Sequence, residues 1–274
     1  MLVISQEEFL RLVRFVHDTY GIDLSKKKQL IEGRLYLPFT KSGLPTFNDY
    51  LDQVFAGDRS ELQQLLNRLT TNHTYFMRES SHFDLFRDII LPKLEQTKRS
   101  SRVLSIWSAG CSSGQEPYTL SMMLKDRFDS KVPAWDTRVL ATDISERAMD
   151  IARKATYSGE SLGDVPADWK KKYFIQNGED FTLTDTVRNN VIFRSFNLMD
   201  PIKFKLKFDV IFCRNVMIYF DVPTKNALIK RFYDATAPGG YLLVGHSETL
   251  SNNNGLYAPI STAAYIKNSP GQGG

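Results

Sequence analysis

The chain has 274 residues, 42% of them hydrophobic and 24% charged, with a formal net charge of +4. That balance suits one large globular domain with a smaller companion and excludes disorder as the default; the positive charge is too small for an obligate nucleic-acid binder but suits an acidic partner. Two cysteines, Cys111 and Cys213, supply neither a disulfide framework nor a zinc cluster. The longest apolar runs, "FDVIFC" and "YLLVG", are strand-sized, and the start "MLVISQEEFLRLV" has no basic-then-apolar layout, so a soluble cytoplasmic protein is expected.

From Ser5 to Leu69 apolar residues recur at helical spacing, as in "EEFLRLVRFVHDTYGI" with Phe9, Leu12, Val13, Phe15 and Val16 on one side. Ser5 followed by Glu8 reads as a capping box, and "TYGIDL" and "KSGLPTF" supply glycine stops. A helical domain is therefore predicted over residues 1–69. The polar stretch "LTTNHTYFMRESSHF" then leads into a helix ending near Lys98, giving a linker and connecting helix over 70–98.

After "EQTKRSSR", strand-like and helix-like segments alternate: "RVLSIWSA", "EPYTLSMMLKDRF", "TRVLATDI", "SERAMDIARKA", and later "VIFRSF", "KFDVIFCRN", "PTKNALIKRFYDATA" and "GGYLLVGH". Such alternation implies right-handed crossovers and a parallel sheet over 99–274. Residues 156–190 interrupt it with "PADWKKKYF" and the alternating "DFTLTDTV", read as a helix plus a short antiparallel hairpin inserted in the α/β domain. "YAPIST" and "AAYIKN" form the last predicted strand pair.

The turn in "VLSIWSAGCSSGQEP" raises the question of its guest. Gly110 and Gly114 permit a sharp bend and a close backbone approach to a ligand. No Gly-Lys-Ser/Thr follows, so it is not a P-loop, and Cys-Ser-Ser between the glycines departs from the dinucleotide fingerprint. Glu116 puts negative charge where a pyrophosphate would sit, which favours a cation. Asp143, ending "VLATD", is placed to accept both hydroxyls of a ribose. Adenosine joined to a positive sulfonium, as in S-adenosylmethionine, fits this set. Equally, Asp143 can serve as a cap for the helix starting near Ser145, and Glu116 can simply favour its own helix N-terminus.

At "LTTNHTYFMRESSHF", "SAGCSSGQEPYTL", "LATDIS", "FNLMD" and "FCRNVMIYF" the sequence resembles the CheR family of chemotaxis receptor (protein-glutamate) O-methyltransferases, over nearly the whole chain. The resemblance implies a class I S-adenosylmethionine-dependent methyltransferase fold, Rossmann-like α/β, with an N-terminal helical domain and an inserted small antiparallel β-subdomain. It implies methylation of glutamate side chains on cytoplasmic helices of chemoreceptors, with S-adenosylhomocysteine as coproduct and no metal. Carried over by motif, the cofactor contacts are Asn72, Thr74, Arg78, Glu116, Asp143, Asn197, Leu198, Arg214 and Asn215. Arg78 and Tyr219 are implied near the transferred methyl. Judged alone, Asn72 and Thr74 suit a polar turn, Arg78 suits a pair with Glu79, and Tyr219 suits a packed aromatic. His73 and His246 are read as structural.

In "DLSKKKQLIEGRL", Lys26, Lys27, Lys28 and Arg34 outnumber Asp23 and Glu32, so with the resemblance this basic helix is the expected surface for an acidic receptor helix. Some family members bind a receptor C-terminal peptide on the β-subdomain edge; the short loop in "QNGEDFTLTDT" argues against that mode here. A monomer is expected. Two alternatives compete: a nucleic-acid N-methyltransferase, for which "CRNVMIYF" lacks the expected Asp/Asn-Pro-Pro-aromatic motif, and a non-catalytic sensor of S-adenosylmethionine.

Overall fold

Four helices, α1 (Gln6–Tyr20), α2 (Lys28–Ser42), α3 (Phe47–Ala56) and α4 (Arg59–Leu69), make up the N-terminal part of the computed structural model, which describes residues 2–57, 59–70, 73–250 and 255–268. Helix α1 starts where the sequence predicts: the Ser5 hydroxyl accepts from the Glu8 N–H, and the Glu8 carboxylate accepts from the Ser5 N–H. Gly21 and Gly43 end α1 and α2 at φ 72° and 68°, the left-handed region that glycine enters without a Cβ penalty. Thr46 and Asp49 form a second capping box on α3. Phe9, Leu12 and Val16 of α1 are buried with Ile31 and Leu35 of α2 and Leu51 and Val54 of α3, while Phe15 stacks on Phe55 at 3.9 Å.

The chain forms two compact units, Met1–Asn72 with Tyr219–Lys225, and His73–Ile218 with Asn226–Gly274. Tyr219–Lys225 thus belongs with the helices despite its distance in sequence. Asp23 donates its N–H to the Tyr219 carbonyl at 2.7 Å, and Ile22 bridges Phe220 in antiparallel fashion. The His17 ring reaches Asp221 at 3.1 Å with Nε2 and Asp18 at 3.2 Å with Nδ1.

Among the described residues the second unit carries ten strands: β1 (Ile106–Ala109), β2 (Val139–Asp143), β3 (Thr156–Ser158), β4 (Phe174–Asn177), β5 (Asp180–Leu183), β6 (Val191–Ser195), β7 (Phe208–Cys213), β8 (Thr236–Val244), β9 (Tyr257–Ser261) and β10 (Ala264–Lys267). The main sheet has the order β6-β2-β1-β7-β8-β10-β9. β6, β2, β1, β7 and β8 run parallel, and the β9–β10 hairpin is added antiparallel at one edge. β1 and β7 are buried along their whole length because helices cover both faces, so they read as continuous apolar runs. On one face Trp107 packs against Phe196, Phe204, Phe208 and Phe232; on the other Phe83 and Phe86 pack on Phe212. From β1 the chain steps outward to β2 and β6, then crosses back to β7 on the other side of β1. That reversal makes the carboxyl ends of β1 and β7 the switch point of the sheet, the place where open α/β sheets bind ligands.

The insertion is larger than the predicted hairpin. β4 and β5 do form one, turning at Gly178 (φ 64°), but β3 pairs with β5 to make a three-stranded antiparallel sheet. Three residues are too few to show a period of two, so β3 left no trace in the pattern. The alternation in "DFTLTDTV" also stops early, at Leu183, and Asp185–Arg188 is a short helix.

The two carboxylates around His17 favour its protonated form; the hydrogen bond to Asp18, then that to Asp221, raise its pKa above the usual 6.5. A raised histidine pKa stabilises the fold below 6.5 and that contribution is lost as pH rises through the raised value. Proton-detected NMR titration of His17 is therefore expected to give a midpoint above 6.5. Asp221→Asn is expected to lower the midpoint only part-way, since Asp18 remains.

Candidate active site at the carboxyl ends of the strands

The segment after β1 turns through three positive φ values, Gly110 at 82°, Ser112 at 49° and Gly114 at 94°. Both glycines are crowded by protein on the side where a side chain would project. A Cβ on Gly110 would lie 2.3 Å from Val216 Cγ2, and one on Gly114 would lie 2.8 Å from Ala152 Cβ, so the close approach is of protein to protein. What the turn presents instead is its amides: Gly110 and Cys111 donate to the Thr142 carbonyl, and Ser112 donates to Asp143 Oδ2 at 2.8 Å.

Asp143 is the last residue of β2. Ser145, not Asp143, caps the following helix Glu146–Lys154, its hydroxyl accepting from the Ala148 N–H. The Asp143 carboxylate accepts the Ser112 N–H on Oδ2 and the Ser145 N–H on Oδ1, with the Ile144 N–H as a further backbone donor, and retains lone-pair capacity for a donor such as a ribose hydroxyl. Burial pushes its pKa up, against the backbone donors that oppose the rise.

Glu116 lies in the first turn of the helix Gln115–Phe128 and points back at the sheet. Ser108 of β1 donates to its Oε1 at 2.7 Å, and Arg214, just past β7, donates to its Oε2 at 3.1 Å. Glu116 is raised in pKa by burial, with Arg214 working in the opposite direction. It serves more than its helix terminus. Asn197, after β6, makes a turn in which its Oδ1 accepts from the Met199 N–H at 3.0 Å, while the buried Leu198 offers its carbonyl to Arg231.

Two acids that the sequence reading did not select organise this end of the sheet. Glu79 receives Arg214 Nη2 at 3.1 Å, Asn215 Nδ2 at 3.1 Å and the His246 N–H at 3.3 Å. Its burial works to raise the pKa, but these donors and the Arg214 charge together hold it below the usual carboxylate value. Glu248, 4% exposed, accepts N–H groups from Asn215 at 2.7 Å, Ile218 at 2.9 Å and Gly245 at 2.6 Å. It ties the loops after β7 and β8 together, with Asn215 held at φ 59°. The only trace of either in the sequence is an acid amid polar loop residues, "MRES" and "GHSETL".

The linker loop is fastened by Phe76, fully buried against Tyr157 and Phe174 of the insertion at 5.0 and 5.6 Å. Thr74 is half-buried there. Arg78 does not take the role of partner to Glu79: Arg214 holds that carboxylate and also bonds the Arg78 carbonyl, while the Arg78 side chain donates to the His73 carbonyl at 2.7 Å. Asn72 lies outside the described residues. Tyr219 is half-buried and groups with the helical unit, as do the basic residues of α2. Lys26 and Lys27 are exposed and Lys28 is partly so, beside the exposed Leu30 and Leu37. Arg34 instead turns to the carbonyls of Arg68, Leu69 and Thr70 at the end of α4.

His246, read as structural from sequence, is exposed, with its Nε2 3.2 Å from the Ser81 hydroxyl and its ring 4.6 Å from that of buried His82. Glu79, His82 and His246 bring three potential ligand atoms within 4.8 Å of one another, but the Arg214 guanidinium sits on the same Glu79 oxygen and opposes a second cation.

The all-alpha domain model of the CheR methyltransferases matches residues 7–70, and the S-adenosylmethionine-binding domain model of the same family matches residues 72–266. The chain belongs to the CheR methyltransferase family. Its relatives include a chemotaxis protein methyltransferase of Borreliella burgdorferi, 42% identical over 97% of this chain and 95% of the relative. The Escherichia coli chemotaxis protein methyltransferase is 34% identical over 92% of this chain and 87% of the relative. This CheR protein is thus an S-adenosylmethionine-dependent methyltransferase of chemotaxis, and the fold is the class I α/β sheet with helical N-terminal domain and β-insertion that the resemblance implied.

The residues present suit that cofactor. Asp143 has lone pairs for ribose, and Glu79 and Glu116 outnumber the Arg214 between them, which suits a ligand carrying a positive sulfur. Asp143→Ala is expected to weaken S-adenosylmethionine binding by about 1.5–3 kcal/mol, the worth of hydrogen bonds to a charged group. Calorimetry on protein whose melting shows it folded measures the loss. Unchanged affinity would leave Asp143 as a brace for Ser112 and Ser145 alone.

Proposed function

We propose that this methyltransferase esterifies glutamate side chains on the cytoplasmic helices of chemoreceptors. The observation that carries the reading is the match of both CheR domain models along the chain, joined to relatives named as chemotaxis methyltransferases. The site chemistry supports it. A glutamate side chain, with an ordinary pKa of about 4.3, is ionised at neutral pH, so its attack requires no base.

S-adenosylmethionine supplies an electrophilic methyl on a cationic sulfur. Asp143 holds the ribose in this reading, Asn197 and Leu198 border the adenine, Arg214 and Asn215 lie by the methionine portion, and Asn72, Thr74 and Glu116 are further cofactor contacts by motif. Arg78, whose side chain has a carbonyl partner rather than a carboxylate, holds one oxygen of the incoming glutamate and leaves the other to react. Too tight an ion pair would blunt the nucleophile, so its role is positioning. Tyr219 orients the substrate or closes the site. Excluding water removes the solvation that otherwise favours separated charges over the transition state. No described helix is long and apolar enough to cross a membrane; we place the enzyme in the cytoplasm, where receptor signalling helices are accessible.

Exposed His246 beside Glu79 favours a second reading, in which a histidine base serves a neutral amine nucleophile. Alkali separates the two. Label transferred to receptor fragments is expected to be released as methanol by mild base, and the transfer rate is expected to stay nearly flat between about pH 6 and 8, where free glutamate is ionised throughout. Base-stable label, or a rate climbing with histidine deprotonation, would select the amine reading.

Lys26, Lys27 and Lys28 supply the charge for steering an acidic receptor helix, and the exposed Leu30 and Leu37 add apolar contact further along α2. Reversing Lys27 and Lys28 to glutamate is expected to slow association with receptor fragments most at low ionic strength, where the Debye length is longest, and to leave cofactor affinity unchanged. Stopped-flow rates across a salt series measure this.

A further inference from the structure

Arg214 is clamped between two carboxylates. Its side chain is 2% exposed, and it meets Glu79 Oε2 and Glu116 Oε2 at 3.1 Å each. Ser108 and Asn215 lie within hydrogen-bond distance of the remaining oxygens of the two acids, so each of the four carboxyl oxygens has a partner. Arg214 and Asn215 hold Glu79 ionised, and with Glu116 charged as well the triad is one unit negative. The backbone is strained to achieve this: Met77 and Glu79 sit at φ 62° and 53°, and Asn215, on the other side of the contact, at 59°. Glu79 therefore does more than neutralise an arginine, which Glu116 alone would do.

We propose that Glu79 is a positioning and specificity residue that sets the surplus negative charge under the cofactor site, so that the site tells the cationic sulfonium of S-adenosylmethionine from the neutral thioether of S-adenosylhomocysteine. This rests on the assignment of the cofactor to the carboxyl ends of β1 and β7. The two molecules share adenosine, carboxylate and ammonium groups and differ only in one methyl and in the charge on sulfur. Hydrogen bonds to the shared groups cannot separate them. A buried excess charge can, because it acts at a distance and is poorly screened by solvent. During transfer the sulfur–methyl bond breaks, its electron pair stays on sulfur, and the carboxylate oxygen bonds the methyl. The attraction to sulfur then ends while every other contact remains, which favours exchange of coproduct for fresh cofactor. Arg214 in this arrangement is a carrier of the two acids and is already satisfied as a cation, leaving Arg78 to meet anionic groups.

Calorimetry with three ligands tests the proposal: S-adenosylmethionine, S-adenosylhomocysteine, and sinefungin, in which a carbon-borne ammonium replaces the methyl sulfonium. In Glu79→Gln, affinity for the two cationic ligands is expected to fall about tenfold while that for the thioether changes by less than about threefold. Glu79→Asp, which keeps the charge, is expected to keep the parent's ratio even if all three affinities weaken. Equal losses for all three ligands in Glu79→Gln would overturn the proposal and leave Glu79 a purely structural brace. If Glu79→Gln does not fold, Glu116→Gln removes the same unit of charge from the other side of Arg214 and is read by the same ratio. A parent protein that binds none of the three would overturn the cofactor assignment, and this inference with it.

Discussion

A guanidinium buried between two carboxylates is the constraint around which this site is arranged. Desolvating three charges is expensive, and their mutual attraction offsets that only with good geometry and every remaining lone pair satisfied. Here Ser108, Asn215 and the His246 amide supply those partners, from β1 and from the loops after β7 and β8. The contact therefore couples the linker loop, β1, the helix Gln115–Phe128 and the end of β7 into one body. Losing Arg214 would strand two carboxylates away from water, whereas losing one acid would leave Arg214 paired with the other.

Glu248 performs a related task with neutral partners. One carboxylate gathers amides from Asn215, Ile218 and Gly245, and Gly245 has to be glycine because an added Cβ would fall 2.6 Å from Asn215 Nδ2 and 2.8 Å from Glu248 Oε2. Burial raises the Glu248 pKa and the amides oppose the rise. Between them, Glu79 and Glu248 bond Asn215 at both its side chain and its backbone N–H, fixing it in a left-handed conformation that asparagine tolerates. Two loops that would otherwise be mobile become part of the sheet's rigid end.

The residues proposed for chemistry hang from supports that lie elsewhere in the chain. Arg78 is positioned by Phe76, whose ring is buried against the β-insertion, so that small sheet braces the linker loop. Tyr219 is held through its backbone by Asp23 and through its neighbours by Ile22 and His17, which makes the helical unit a scaffold for that loop as well as a surface for α2. In neither case does the supporting group touch the reacting atoms in the proposed mechanism.

Local physics made much of this protein legible in the sequence. Capping of α1, the glycine stops after α1 and α2, and the parallel strands each follow from a few consecutive residues, because hydrogen-bond geometry and side-chain periodicity act over one or two turns. So did the gathering of Glu116, Asp143, Asn197, Arg214 and Asn215, since every parallel strand delivers its carboxyl end to one edge. The family motifs extended the reading to the linker loop and to the catalytic class. What stayed hidden depends on partners far apart in sequence. Glu79 and Glu248 look like ordinary loop acids until Arg214 or the amides of Asn215, Ile218 and Gly245 arrive beside them. Gly110 and Gly114 read as glycines for a ligand's sake, and only the fold shows that Val216 and Ala152 also crowd their side-chain positions. β3 is too short to carry a period, and Arg34 reads as a free cation until the end of α4 presents its carbonyls. Pattern reports what a residue can do within its own element; only the tertiary fold brings the second charge, because the partners of a buried ion pair come from segments far apart in the chain.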